Sequence, residues 1–232
     1  MNTRVRDIFV FFAGAFGLTF LASQLPELTI GKFGVNLVLC GLGPLLSGLA
    51  CYSLLKTKNE TGISILGTRP VITASVCLAP VLTLYVTQEH RFTAILLFVM
   101  PHFAYCFGEE FGWRHYLQNA TSHLDEWRQS FLIGLLWFMW HFSFLEDVSS
   151  SMLGSDMPIY MFAPLMIVLL SLLSYLFGIM VKRSGSVLFP TVGHLLFKTG
   201  MTTMLVAGVL MALTLVLWDR IPGGKKHDTK TL

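Results

Sequence analysis

Long apolar segments separated by short polar loops dominate this chain and limit what it can fold into. Of its 232 residues, 54% are hydrophobic and 12% are charged, against roughly 25% charged in soluble domains. A soluble domain of this size could not bury so many apolar side chains, so we predict an all-α, polytopic membrane helix bundle of about eight transmembrane helices. The eight segments are Ile8–Ser23, Phe33–Leu55, Val71–Thr87, Phe92–Phe111, Phe131–Leu145, Ile159–Val181, Val187–Thr199 and Met201–Trp218.

No linker, low-complexity stretch or internal repeat divides the chain. We therefore predict a single membrane-embedded domain over residues 1–232, ending in a flexible cytoplasmic tail over residues 221–232. The fifth and seventh segments fall short of the roughly 20 residues that a helix needs to cross a bilayer. We expect residues on either side to extend each of these helices, and we expect the seventh helix to lie only partly within the bilayer.

Basic residues are distributed unevenly over the connecting loops. If the N-terminus is cytoplasmic, thirteen of the sixteen Lys and Arg residues fall on the cytoplasmic side. The thirteen are Arg4, Arg6, Lys56, Lys58, Arg69, Arg114, Arg128, Lys182, Arg183, Arg220, Lys225, Lys226 and Lys230. Cytoplasmic loops of membrane proteins carry such an excess, so we predict that both termini lie in the cytoplasm.

Two adjacent carboxylates close the fourth segment and are the first candidates for chemistry. Glu109 and Glu110 follow a long apolar run, where a carboxylate costs at least a few kcal/mol and is rarely present without a function. On a helix they point about 100° apart, which favours two different roles, and Glu110 shares a face with Arg114 as an i, i+4 pair. The alternative is a helix end whose charged groups reach the membrane interface.

Two histidines lie in other apolar segments. His141 is midway along the fifth segment, and His194 is in the seventh, where Lys198 follows on the same helical face. Lipid offers a buried imidazole no hydrogen-bond partner, so both need partners from protein or water. Counted from the predicted cytoplasmic face, Glu109 and the two histidines lie at similar depth in the inner half of the membrane. The sequence therefore permits one shared site.

Such a site is suited to hydrolysis. A desolvated glutamate can accept and return a proton, and a neighbouring neutral imidazole can share a water with it for attack on a carbonyl carbon. His194 or Lys198 would then stabilise the oxyanion. The Glu and His side chains could instead bind zinc, but the sequence has no His-Glu-x-x-His motif, which disfavours a zinc-protease site of that type. Nothing in the sequence indicates binding of a nucleic acid or nucleotide.

Two motifs in this region are specific. Glu109, Glu110 and Arg114 form Glu-Glu-x-x-x-Arg, and Trp137 and His141 form an aromatic residue followed four positions later by His. With these motifs the chain resembles the CAAX protease and bacteriocin-processing family of intramembrane endopeptidases, which includes proteins of the abortive-infection type. The resemblance covers about residues 40–200 and is densest over 105–145.

The resemblance implies a role for each matched residue. Glu109 corresponds to the catalytic glutamate and His141 to its water-activating partner, while Glu110 and Arg114 support them. His194 corresponds to a histidine that stabilises the oxyanion or binds a second water. The family has been described both as metalloproteases and as metal-independent glutamate proteases. No cofactor is therefore predicted as required, and a divalent metal such as zinc, if bound, would use Glu109, His141 and His194.

The resemblance also implies a peptide or protein substrate that is cut near the cytoplasmic membrane face. The substrate would be either prenylated or a precursor of a bacteriocin or pheromone. The protein itself would lie in the bilayer of a prokaryotic cell membrane.

The chain departs from the family at Lys198, because the third motif of the family is His-x-x-x-Asn and Lys198 stands at the position of the Asn. We expect the ammonium of Lys198 to point toward the glutamate pair. This departure keeps open a non-catalytic immunity or scaffold protein that binds a peptide or partner in the same cavity. A small transporter with a Glu/His proton relay is a third reading.

Overall fold

The computed structural model describes residues 3–30, 33–87, 92–154 and 157–221, and this part of the chain is almost entirely helical. The helices are α1 (Thr3–Ser23), α2 (Val35–Leu54), α3 (Pro70–Thr87), α4 (Phe92–Glu110), α5 (Gln118–Ala120), α6 (Glu126–His141), α7 (Val148–Leu153), α8 (Ile159–Ser184), α9 (Leu188–Leu196) and α10 (Met201–Val216). A π-helical segment, Phe111–Leu117, joins α4 to α5, and a 3₁₀ turn, Trp218–Arg220, follows α10. The predicted all-α architecture is confirmed.

A few small elements were not predicted from the sequence. Two-residue strands, β1 (Thr29–Ile30) and β2 (Phe33–Gly34), pair antiparallel just before α2. The short helix α7 lies in the loop between the fifth and sixth apolar segments. The predicted tail falls almost wholly on residues 222–232, which are outside the described residues.

Each of the eight apolar segments contains a helix, but the helices differ in length. Within the described residues, five helices are long and apolar enough to cross a membrane: α1, α2, α3, the continuous helix Phe92–Ala120 and α8. α10 is a shorter apolar helix. α6 has 16 residues, and the nine residues of α9 are all buried, so α9 is an interior helix rather than a lipid-facing span. By length and composition alone, the described part of the chain thus offers five candidate spans and the shorter apolar helix α10, as a polytopic helix bundle requires.

The outer surface of the bundle is apolar. Large hydrophobic side chains are exposed along the long helices, among them Phe9 on α1, Val71 on α3, Val168 on α8 and Val209 on α10. Soluble monomers rarely expose apolar surface on this scale, whereas lipid-facing helices do so along their length. The chain is an integral membrane protein.

Close packing between α2 and α4 positions the helix that carries the two glutamates. Gly108 and Gly112 face α2, where an added Cβ would collide with backbone atoms of Gly41 and Pro44 respectively. Small residues four apart allow helix backbones to approach closely, and this is a common way for helices to associate in membranes. The glycines therefore fix α4 against α2 on either side of Glu109 and Glu110.

The helix that carries Glu109 continues well beyond it. The sequence placed Glu109 near the end of the fourth span, but the chain stays helical through the π-helical segment as far as Ala120, eleven residues further on. At 1.5 Å per residue this adds roughly 16 Å of helix. The expected position near a helix end is therefore wrong, and Glu109 lies inside a 29-residue helix. π-Helical turns inside α-helices are rare and often mark functional sites.

A buried turn between α8 and α9 orients the second histidine helix. α8 ends at Ser184, and Gly185 follows in the left-handed conformation with φ 69°. Backbone bonds join Ser64 N to Gly185 O (2.9 Å) and Val187 N to Ser64 O (3.0 Å), so the loop after α2 holds the turn in place. α9 then starts at Leu188 inside the bundle and carries His194 toward α4.

Candidate active site

Glu109 and Glu110 are both fully buried and have different partners, as their adjacent positions on one helix predict. The indole N–H of Trp137 donates to Glu109 Oε2 at 2.6 Å. Glu109 Oε1 has no hydrogen-bond partner among the described residues. Buried polar atoms nearly always have a partner, and an exception points to a catalytic role or to a ligand. Glu109 thus has one oxygen held by protein and one oxygen available.

Glu110 belongs to a buried network with Arg114 and His194. Arg114 Nε donates to Glu110 Oε2 at 3.0 Å, and His194 Nδ1 lies 3.0 Å from Glu110 Oε1. A second nitrogen of Arg114, Nη2, donates to Ser174 Oγ on α8 at 3.3 Å. The predicted i, i+4 pair is present, and both of its side chains are fully buried. The alternative of a helix end reaching the interface therefore does not fit the structure.

Both imidazoles are oriented through Nδ1. His141 Nδ1 lies 2.8 Å from the carbonyl oxygen of Trp137, one turn earlier on α6. A carbonyl oxygen only accepts, so Nδ1 of His141 carries the hydrogen, and the Nε2 atom of a neutral ring has its lone pair free. The same reasoning assigns the Nδ1 hydrogen of His194, which faces a carboxylate oxygen of Glu110. Each ring therefore has its Nε2 atom left for other chemistry.

Trp137 contacts all three of the predicted catalytic residues. Its N–H binds Glu109, its carbonyl oxygen binds His141, and its ring centroid lies 5.5 Å from that of His194. The Arg114 guanidinium carbon lies 5.3 Å from the same ring. The structure thus brings Glu109, His141 and His194 together, from three helices.

Sequence reasoning singled out Trp137 only as the aromatic residue of a motif. The sequence did contain a signal for the role of Trp137. A buried indole N–H needs a hydrogen-bond acceptor, and apolar segments offer few acceptors. The sequence cannot say which acceptor it is, since Trp137 and Glu109 are 28 positions apart.

Lys198 lies at the edge of this cluster. α9 ends at Leu196, so Lys198 is past the helix end, and its side chain is exposed. Its ammonium lies 5.6 Å from the ring centroid of Tyr105, which is one turn before Glu109 on α4. In the described structure Lys198 makes no ion pair with Glu109 or Glu110. Lys198 was expected to point toward the two glutamates. Its ammonium contacts the Tyr105 ring on the same helix and does not pair with either carboxylate.

The fit of the cluster to a metal ion can be judged from its donor atoms. Among the described residues, no group of three or more His, Cys, Asp or Glu side chains is arranged to hold a metal ion. The Nδ1 atoms of both histidines have protein partners, so a metal could use only their Nε2 atoms and Glu109 Oε1. In this arrangement Glu109, His141 and His194 do not form a three-ligand site.

The matched part of the chain coincides with this site. Residues 91–200 match the family model for Type II CAAX prenyl endopeptidase Rce1-like proteins. Over these residues the chain is similar to the CAAX prenyl endopeptidase family. The match confirms the resemblance found in the sequence, and the Rce1-like region includes every candidate from Glu109 to Lys198. A comparison with curated proteins found no match to the chain.

The Rce1-like region depends on helices outside it. It contains α4 to α9, and it excludes α1, α2, α3 and α10. α2 nevertheless packs on α4 through Gly108 and Gly112, and Thr19 of α1 accepts a 2.9 Å hydrogen bond from the indole N–H of Trp140. The first two helices thus support the candidate site from outside the matched residues.

Replacing Trp137 with phenylalanine is expected to destabilise the protein by about 1–3 kcal/mol, the usual cost of a buried polar group left without its partner. Phenylalanine keeps a ring beside Arg114 but removes the N–H that binds Glu109. The change would be measured as the unfolding temperature in detergent. Trp127→Phe is the matched control, because Trp127 is on the same helix but exposed and stacked on Tyr175. Equal losses in the two variants would contradict this role of the indole.

Proposed function

We propose that this protein is a membrane endopeptidase that hydrolyses a peptide bond with a water activated by Glu109 and His141. The observation that carries the proposal is the fully buried carboxylate of Glu109, which has one oxygen held by Trp137 and the other without a partner. Trp137 also holds His141, so the two groups suited to activating water are attached to one residue. The match of residues 91–200 to an endopeptidase family model supports the reaction class.

The first step forms the nucleophile and the tetrahedral intermediate. A water between Glu109 Oε1 and His141 Nε2 gives a proton to Glu109, and its oxygen adds to the carbonyl carbon of the peptide bond. The carbonyl π electrons move to the oxygen and form an oxyanion. Proton transfer to a positioned side chain of this kind contributes about 10²–10⁴-fold to the rate.

His194 would stabilise the oxyanion. As an imidazolium it would donate Nδ1–H to Glu110 and Nε2–H to the developing negative charge. Glu110 would hold the ring in this orientation by accepting its Nδ1–H, and Arg114 would in turn hold Glu110. In the second step the C–N bond breaks, and Glu109 returns its proton to the leaving amine. Atoms and charges then balance, with water consumed and a carboxylic acid and an amine formed, which exchange a proton to give a carboxylate and an ammonium.

The substrate class follows from the family and from the position of the site. The family description names prenyl endopeptidases, so we propose a peptide carrying a C-terminal prenylated CAAX sequence, delivered from the bilayer. Precursors of bacteriocins or pheromones are the alternative substrates. The charge asymmetry of the loops supports cleavage on the cytoplasmic side, with Glu109 roughly 16 Å of helix from Ala120.

The proposal is tested by reconstituting the protein in liposomes with a farnesylated CAAX peptide and detecting cleavage by mass spectrometry. His141→Asn is expected to lower the cleavage rate by about 10²-fold, because asparagine can still donate to the Trp137 carbonyl but has no basic nitrogen at the Nε2 position. The KM should change little, since the substitution removes a proton acceptor and not a substrate contact.

His102→Asn is the matched control for this variant. His102 Nδ1 lies 2.7 Å from the carbonyl of Phe98, the same i−4 arrangement, but on α4, seven residues before Glu109. It should retain the wild-type rate. If wild-type protein cleaved neither the farnesylated peptide nor an unprenylated precursor, the non-catalytic reading raised by Lys198 would be favoured. If His141→Asn cleaved as fast as wild type, the mechanism would be wrong.

A further inference from the structure

A polar cleft of about 330 Å³ lies well away from the candidate active site. It is formed where α1 begins, where α2 has just ended and where the helix of the two glutamates ends at α5. Its volume is in the range of small-molecule sites and corresponds to roughly ten water molecules. The cleft is therefore larger than a single ion or water would need.

Cationic side chains outnumber anionic ones in its wall. Arg4, Arg6, Lys56 and Lys58 line the cleft, against the carboxylates of Asp7 and Glu60. Asp7 is already engaged, because Arg6 Nη2 lies 2.8 Å from its Oδ1. Within the described part of the chain, the ammonium groups of the two lysines have no ion-pair or hydrogen-bond partner. Arg4 and Arg6 have partners, so the unmatched positive charge in the cleft is that of Lys56 and Lys58.

The lysine-bearing loop is held in place by a buried side chain. Asn119 is 3% exposed, its Oδ1 accepts from the backbone N–H of Glu60 (2.7 Å) and Thr61 (3.1 Å), and its Nδ2 donates to the carbonyl of Lys58 (2.7 Å). These three bonds attach the loop after α2 to the end of α5. The loop is therefore part of a fixed wall.

The surroundings indicate a lipid rather than a soluble anion. Apolar side chains flank the cleft on the outer surface: Phe9 on α1 is 65% exposed, and Leu54 at the end of α2 is 80% exposed. A headgroup in the cleft would have its acyl chains beside these residues. Basic side chains at the boundary of a membrane helix attract anionic lipids with about 1 kcal/mol each.

We propose that this cleft binds the phosphate headgroup of an anionic membrane lipid, with Lys56 and Lys58 as the principal contacts. The proposal does not depend on the endopeptidase mechanism, because none of the cleft residues belongs to the Glu109 cluster. Lipid binding here would hold the start of α1 to the end of α2 and thereby stabilise the bundle.

The test measures the unfolding temperature of the purified full-length protein in a neutral detergent during titration with dioleoylphosphatidylglycerol. The lipid is expected to raise it, and dioleoylphosphatidylcholine at the same concentrations is not. Lys56→Gln/Lys58→Gln should weaken the apparent affinity for phosphatidylglycerol about 30-fold, about fivefold for each lysine. Lys56→Arg/Lys58→Arg should retain it, because the charges remain.

Lys182→Gln/Arg220→Gln is the matched control, since it removes two exposed positive charges outside the cleft. It should bind phosphatidylglycerol within about twofold of wild type, because a charge far from the headgroup is screened. Equal weakening in the two double variants would show a diffuse charge effect and overturn the site. Equal stabilisation by inorganic phosphate would show a soluble-anion site and overturn the assignment to lipid.

Discussion

Glu109→Gln is expected to lower peptide cleavage by at least about 10³-fold while the folded protein stays intact. Glutamine has nearly the same shape and can still accept the Trp137 N–H through its carbonyl oxygen. It can neither take the proton from water nor return one to the leaving amine, and each such transfer is worth about 10²–10⁴-fold. The measurement is single-turnover cleavage of the farnesylated peptide in liposomes, together with the unfolding temperature of the same preparation.

The two readouts separate catalysis from folding. Because the variant removes a buried carboxylate without removing an acceptor, its unfolding temperature should be at least that of wild type. Glu126→Gln is the control, since Glu126 is half-exposed and pairs with Lys182 at the start of α6. It should cleave at the wild-type rate. Full activity in Glu109→Gln would exclude Glu109 as the proton acceptor.

Local spacing was enough to predict the first part of the site. Glu110 and Arg114 were expected to pair because i and i+4 side chains share a helical face, and they do so at 3.0 Å. Neighbouring carboxylates were expected to have different roles, and Glu109 and Glu110 have different partners. The pair and the different partners follow from helix geometry alone, although the segment after Glu110 is π-helical.

Features that depend on tertiary contacts could not be predicted. The extension of the helix from Glu109 to Ala120 depends on packing, because residues 111–117 are polar enough in part to be read as a loop but are almost all buried. The bond from Trp137 to Glu109 joins residues 28 positions apart. The nine-residue helix α9 looked like a short span, yet all its residues are buried by neighbouring helices. In each case the deciding information is which helix lies next to which.

Arg114→Met is expected to destabilise the protein by about 3–5 kcal/mol, the usual result of removing one partner from a buried ion pair. Arg114 and Glu110 are both fully buried, so no water can replace the lost guanidinium. Methionine fills a similar volume, which limits the contribution of a cavity. The loss would be measured as a lower unfolding temperature and a lower yield of folded protein after membrane extraction.

Two further variants would show whether this loss of stability comes from the unpaired charge of Glu110. Arg128→Met removes an arginine whose pair with Asp125, at 3.1 Å, is exposed, and exposed pairs contribute about 0–1 kcal/mol. Adding Glu110→Gln to Arg114→Met should recover part of the stability, because glutamine is neutral and can still accept from His194 Nδ1. A double variant as unstable as Arg114→Met alone would mean that the guanidinium stabilises the bundle through packing against Ser174 and the neighbouring rings. In that case the ion pair would not be what holds Glu110 in place for His194.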